Sequence, residues 1–161
     1  MHKSVLLEEC IEGLNLKDDS IVVDCTLGRA GHSSEALKKI KNGYLYSFDQ
    51  DEDSIITSTE KLNKISDNFK IINTNFVHIK EELNKLGVNN VDAIMYDLGV
   101  SSPQLDETTR GFSFHKDARL DMRMDKNNPI DAYYVVNNYT LDELIRILRN
   151  YGEEKYATSI A

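Results

Sequence analysis

Apolar positions along the chain follow two alternating rhythms. Leu6, Leu7, Cys10, Ile11 and Leu14 recur at the spacing of one helical face across residues 5–14, with Ser4 placed to cap them. Ile21, Val22 and Val23 then form a β-branched run, the pattern of a strand buried on both faces of a parallel sheet. Ala36, Leu37 and Ile40 predict a helix that closes near Asn42-Gly43. The alternation continues with a strand over 44–48, a helix over 53–62, a strand over 69–72, a helix over 79–86 and a strand over 91–98. Strands and helices of these lengths imply βαβ units with right-handed crossovers, an α/β fold on a parallel sheet.

After Leu98 the rhythm lapses. Residues 99–130 hold both prolines, several turn formers and mixed charges, and are predicted to form a long functional loop. Thr140-Leu141-Asp142-Glu143 is a capping box, and the helix it opens carries Leu141, Leu144, Ile145 and Leu148 on one face before Gly152 stops it. A last short helix is predicted to begin near Glu153.

Composition narrows the class. With 161 residues, 40% hydrophobic and 29% charged, the chain is long enough for a core and too mixed for a disordered tail. No apolar run approaches the ~18 residues of a transmembrane helix, and the start lacks a signal-peptide core, so a cytoplasmic protein with no membrane partner is expected. Cys10 and Cys25 are too few for a disulfide framework or zinc site and are expected to be reduced. His2, His78 and His115 show no metal-ligand spacing, and no metal is expected. Nineteen basic against 27 acidic side chains give −8, which excludes strong nonspecific nucleic-acid binding by charge alone. An RNA held by shape and a local patch stays open.

The candidate chemistry sits where strands end. Asp24-Cys25-Thr26-Leu27-Gly28-Arg29-Ala30-Gly31-His32 joins the first strand to its helix, and small residues there let backbone approach a ligand. The next strand ends in Phe48-Asp49-Gln50-Asp51, about 20 residues on, where a carboxylate can accept both hydroxyls of a ribose. Alternatively, Asp49 merely caps the next helix. The loop lacks the G-x-G-x-x-G of dinucleotide sites; Gly28, Ala30 and Gly31 form a tighter pattern, closer to S-adenosylmethionine (SAM) methyltransferases. Past the fourth strand, Asp97 is placed to accept from an amine, or to cap a turn, while Ser101, Ser102 and Gln104 are placed to orient a flat base. Phe112 and Phe114 read equally as a stacking platform or a loop anchor. Arg110, Arg119 and Arg123 lie among Asp106, Glu107, Asp117, Asp121 and Asp125, the makings of paired charges and not of a basic patch. An NAD-dependent oxidoreductase and a non-catalytic nucleotide- or RNA-binding module are the competing readings.

Taken in order, these segments resemble the N-terminal half of the bacterial ribosomal RNA small-subunit methyltransferase H family (RsmH, or MraW). The matching motifs are H-K-S-V-L-L-E-E at residues 2–9, D-x-T-x-G-x-x-G-H-S at 24–33, F-D-Q-D at 48–51 and N-F at 75–76. D-L-G-V-S-S-P-Q-L-D at 97–106, R-G-F-S-F at 110–114, L-D-M-R-M-D at 120–125 and Y-G-E-E at 151–154 follow.

The resemblance implies a Rossmann-like SAM-dependent methyltransferase fold, with strands one to four ordered 3-2-1-4 in a sheet that is incomplete here. Residues 1–102 would form the N-terminal part of the SAM-binding core, and residues 103–161 the beginning of an inserted loop and helical segment that recognises substrate. The implied activity is methylation of the exocyclic N4 of a cytidine in 16S rRNA of the small ribosomal subunit, by a longer protein of which this chain is a truncated form, inactive alone. Ala30, Gly31, His32, Asp49, Phe76, Asp97 and Gln104 fall on the family's SAM contacts, and Asp97 is also the candidate acceptor beside the reacting amine. The chain departs from the family at Ala30, where glycine is usual, and at Ala118-Arg119, where Gly-Pro is usual. If position 30 requires positive φ or close ligand approach, its methyl should weaken cofactor binding.

Overall fold

The computed structural model describes residues 4–161, so His2 and Lys3 of the opening motif lie outside the described residues. The chain forms two compact units, the first ending at Ser101 and the second running from Ser102 to Ala161.

Four strands build the first unit: β1 (Ile21–Asp24), β2 (Tyr44–Asp49), β3 (Phe69–Asn73) and β4 (Ala93–Met95). All pairings are parallel, in the order β3-β2-β1-β4, as expected. Between them come α2 (Gly31–Lys39), α3 (Glu52–Leu62) and α4 (Ile79–Lys85), with α1 (Leu7–Gly13) ahead of β1 and packed on α2.

Adjacent β-branched residues of β1 serve opposite faces, as a pleated strand requires. Val22 packs with Leu27, Ala30, Leu37, Ile40, Leu45, Leu62 and Ala93. Val23 packs with Cys25, Phe48 and Leu83 under α4. Val22, Val23, Leu45 and Phe48 are at most 1% exposed, which explains why β1 and β2 lack an alternating polar pattern.

The ends of elements hold two corrections. The apolar run 91–98 yields only three strand residues, because beyond Met95 the backbone leaves the ladder. The Asp97 amide donates to Thr26 Oγ1 at 2.7 Å, and at the other end Asp92 accepts the Ile21 amide at 2.7 Å. Helix α1 begins at Leu7, with Leu6 left-handed at φ 46° and no side-chain cap. Ser4 is therefore not its cap; it lies over the start of α2.

The second unit contains α5 (Ser102–Asp106), a 3₁₀ turn at Thr108–Arg110, α6 (Ala132–Asn138), α7 (Leu141–Asn150) and α8 (Ala157–Ile160). The predicted loop thus contains a short helix and a turn. Its shape is held by polar contacts. Arg110 is buried and donates to the carbonyls of Arg123 and Met124 at 2.9 and 3.1 Å. Arg123 pairs with Asp121 at 2.7 Å, holding that carboxyl down at about 2, and Arg119 pairs with Asp131 at 2.5 Å.

The reading of paired charges holds for Arg119 and Arg123. Helix α6, absent from the sequence prediction, is capped by Asp131, which accepts the Tyr134 amide at 2.7 Å. The capping box at Thr140 is present as predicted. The last helix starts at Ala157, since Glu153 adopts φ 51° and interrupts helical backbone there.

Candidate functional site

The carboxyl ends of β1, β2 and β4 converge on the glycine loop, and each contributes one carboxylate. At the end of β1, Asp24 is 2% exposed. One of its oxygens accepts the Thr26 amide at 3.0 Å and the other the Ser33 hydroxyl at 2.6 Å, which lies 3.0 Å from Ser47 Oγ. Burial pushes the Asp24 carboxyl above its usual range, against the opposing pull of these donors.

Asp49, at the end of β2, reaches across to the loop. Its Oδ2 accepts the Gly28 amide at 2.8 Å and its Oδ1 the Asp51 amide at 2.9 Å. The helix α3 is capped instead by Asp51, which accepts the Asp53 amide at 3.2 Å. Burial raises the Asp49 carboxyl as well. The Gln50 amide also bonds to this carboxylate, so of its about four lone pairs one is left for a further donor.

The loop is clamped from α3 too. Ser58 Oγ donates to the Gly28 carbonyl at 2.7 Å, and Lys61 Nζ to the carbonyls of Arg29 and Ala30 at 3.0 and 3.1 Å. Sequence reasoning missed both residues. They lie about 30 positions downstream and bond to main-chain carbonyls, which leave no mark in the sequence around the loop.

Gly28 and Ala30 both adopt left-handed backbone, at φ 49° and 52°. Position 30 thus does require positive φ, as the departure from glycine raised. Its methyl, however, is fully buried among Val22, Leu27 and Leu37 and does not face a ligand. Ala30→Gly should relieve about 1–2 kcal/mol of left-handed strain. Against that stand about 0.8 kcal/mol of methyl burial and a similar gain in unfolded-chain freedom. The expected outcome in thermal unfolding is a melting temperature within a few degrees of the parent.

His32 is 5% exposed; its Nε2 lies 3.0 Å from the Val5 carbonyl and its Nδ1 3.8 Å from Asp97 Oδ2. Asp97 itself is half exposed. Phe76 opens a 3₁₀ turn capped by Asn75 and meets Tyr96 edge to face, with centroids 5.5 Å apart. The Tyr96 hydroxyl in turn hydrogen-bonds the Cys25 thiol.

Of the residues singled out in the sequence, Ala30, Asp49 and the glycine loop come together, as do His32 and Asp97. Phe76 stands with Tyr96. Gln104 belongs to the second unit, where it is buried on α5. Also in that unit, a cavity of about 590 Å³ is lined by Phe112, Phe114, His115, Arg119, Leu120 and Met122. Phe114 is 92% exposed, so it anchors nothing, while Phe112 sits under the Arg110 guanidinium at 6.0 Å. Among the described residues no cluster of His, Cys, Asp and Glu is placed to hold a metal, and no helix is long and apolar enough to cross a membrane.

A parallel sheet ordered 3-2-1-4, with a glycine loop after its first strand and a carboxylate after its second, has the Rossmann-like architecture shared by SAM-dependent methyltransferases. A candidate rRNA methylase from Clostridium thermocellum shares this fold at a TM-score of 0.51 and 22% identity, over 62% of this chain and 54% of its own. A candidate methyltransferase from Streptococcus mutans, solved with S-adenosylhomocysteine (SAH), does so at 0.50 and 24%, over 63% and 56%.

The chain belongs to the MraW methylase family, which it matches over residues 1–161. It is 60% identical to the ribosomal RNA small subunit methyltransferase H of Mesoplasma florum, over 99% of this chain and 52% of that protein. The corresponding figures for the Clostridioides difficile enzyme of the same name are 53%, 99% and 52%. The chain therefore spans about half the length of the curated relatives it matches.

Proposed function

We propose that this chain supplies the SAM-binding side of a methyltransferase that modifies the exocyclic N4 of a cytidine in 16S rRNA of the small ribosomal subunit, in the cytoplasm. The observation that carries the cofactor reading is Asp49, whose carboxylate grips the glycine loop through Gly28 and keeps acceptor capacity for a ribose hydroxyl. Gly31 and His32 form the loop wall of the cofactor site, with Ala30 buried behind them. Phe76 lies against the adenine, and Asp97 completes the contacts that the first unit supplies. Bound SAM would supply an electrophilic methyl group, with SAH as the leaving group.

A cytidine amine is a weak nucleophile, because its lone pair is delocalised into the ring. Asp97, half exposed past the end of β4, accepts the amine's proton and orients it. The base must leave its stack to reach that carboxylate, which is least costly in single-stranded RNA.

Calorimetry with SAH and with NAD tests the cofactor. Saturable SAH binding and no NAD binding are expected; the reverse would overturn it in favour of an oxidoreductase. Methyl transfer from radiolabelled SAM to small ribosomal subunits tests the reaction. β4 is an edge of the four-stranded sheet, with Ile94 43% and Tyr96 50% exposed. The 161-residue chain alone is expected to bind SAH without methylating subunits, and transfer at the rate of a full-length relative would refute this.

A further inference from the structure

Gly31 poses a question that its backbone does not answer. It is the first residue of α2, and its φ is not among the positive values at which glycine is favoured. Space supplies the reason. A Cβ at this position would overlap the Ser4 hydroxyl oxygen and come 3.0 Å from Ser4 Cβ. What approaches Gly31 is the chain's own segment Ser4–Leu6.

That segment is not held by apolar burial, since Val5 is 65% and Leu6 63% exposed. It is held by the buried His32 ring, next to Gly31, with Nε2 3.0 Å from the Val5 carbonyl. A carbonyl only accepts, so Nε2 carries the hydrogen, and Nδ1 is the nitrogen that faces Asp97, an ion pair when it too is protonated. Nδ1 stands 3.8 Å from Asp97 Oδ2, beyond hydrogen-bond length but in electrostatic reach. Asp97 is fixed from its other side by its amide bond to Thr26 Oγ1. Both nitrogens of the ring are thus directed at protein groups.

We infer that His32 is a positioning residue that ties the segment Ser4–Leu6 to the Asp97 carboxylate, and that Gly31 lacks a side chain in order to seat that segment. The consequence for methyl transfer rests on the proposed role of Asp97; the tie itself does not. Unseating the segment releases the ring, and a released ring no longer fixes the side of Asp97 that faces it.

Two readouts need no ligand. The Cys10 amide, bonded to the Leu6 carbonyl at 2.8 Å, reports the segment by hydrogen exchange, and the carbon-13 shift of the Asp97 carboxyl reports the other end. In the 161-residue chain, Gly31→Ala is expected to speed Cys10 exchange about tenfold and to move the Asp97 signal. Adding Ser4→Gly removes the overlapping atoms and should restore both. His32→Gln, whose amide nitrogen reaches the Nε2 position, should keep Cys10 protected while moving the Asp97 signal; His32→Ala should disturb both. Affinity for SAH should follow the Asp97 signal.

The proposal is overturned if the double variant stays as impaired as Gly31→Ala although it unfolds cooperatively, or if the Asp97 signal ignores His32→Ala. Should the parent chain bind no SAH, the cofactor reading fails, and the two ligand-free readouts still decide the tie.

Discussion

Asp49→Ala is expected to weaken SAH binding by about 1.5–3 kcal/mol, roughly tenfold to a hundredfold, the range for hydrogen bonds to a charged group. The same substitution should lower the melting temperature, because the Gly28 and Asp51 amides lose their acceptor together. The two losses are separable. A carboxylate that only held the loop would show the fall in stability with affinity unchanged, and calorimetry beside thermal unfolding distinguishes the cases. Asp49→Asn should lie between, since an amide keeps one accepting oxygen and turns a donor toward one of the two backbone amides. Burial raises the Asp49 carboxyl, so SAH affinity should begin to fall, as pH is lowered, above the ordinary aspartate range.

Asp24 carries the second large effect, and here the sign depends on the replacement. Asp24→Ala strands the Thr26 amide and takes a partner from Ser33, at a cost on the order of 2 kcal/mol. Asp24→Asn is expected to be tolerated. Its oxygen can still accept the Thr26 amide and its nitrogen can donate to Ser33, whose hydroxyl then turns to Ser47. The pH profile separates charge from shape. Because the folded-state carboxyl of Asp24 is raised, the native chain binds that proton more tightly than the unfolded one. Its contribution to stability is therefore present below the ordinary aspartate pKa and lost as pH rises through the raised value. Denaturant unfolding from pH 3 to pH 7 should show that slope reduced in Asp24→Asn; an unchanged slope would place the titration elsewhere, with Asp49 the next candidate.

The strands were legible because β1 and β2 are buried on both faces and read as apolar runs, with helical spacing between them. Their order was implied by the family resemblance and not by the runs. The glycine loop and Asp49 were legible because the residue types are unusual and their separation is set by one βαβ unit. Other features obey no local rule. Helix α6 buries no residue, so Tyr133, Tyr134 and Val136 leave no apolar stripe to find, and its cap Asp131 lies outside any run. The short β4 follows from a side-chain acceptor, Thr26, about 70 positions away. Ser4 was assigned to the nearest helix when it serves a distant one, and the left-handed Leu6 that separates the two follows from packing and not from leucine's own preference.

Burial of Cys25, against the opposing pull of its Tyr96 contact, also makes the end of the central strand chemically quiet. Cys25 is 2% exposed and its thiol is pushed up to about 11, so at pH 7 only about one molecule in ten thousand carries the reactive thiolate. Cys10 is only half-buried. An alkylating reagent should therefore mark the folded chain once, at Cys10, and reach Cys25 only when the end of β1 opens. With its two cysteines so divided, the chain carries its own clock for unfolding: the rate of the second alkylation, read by mass spectrometry, times the opening of the strand that holds the glycine loop.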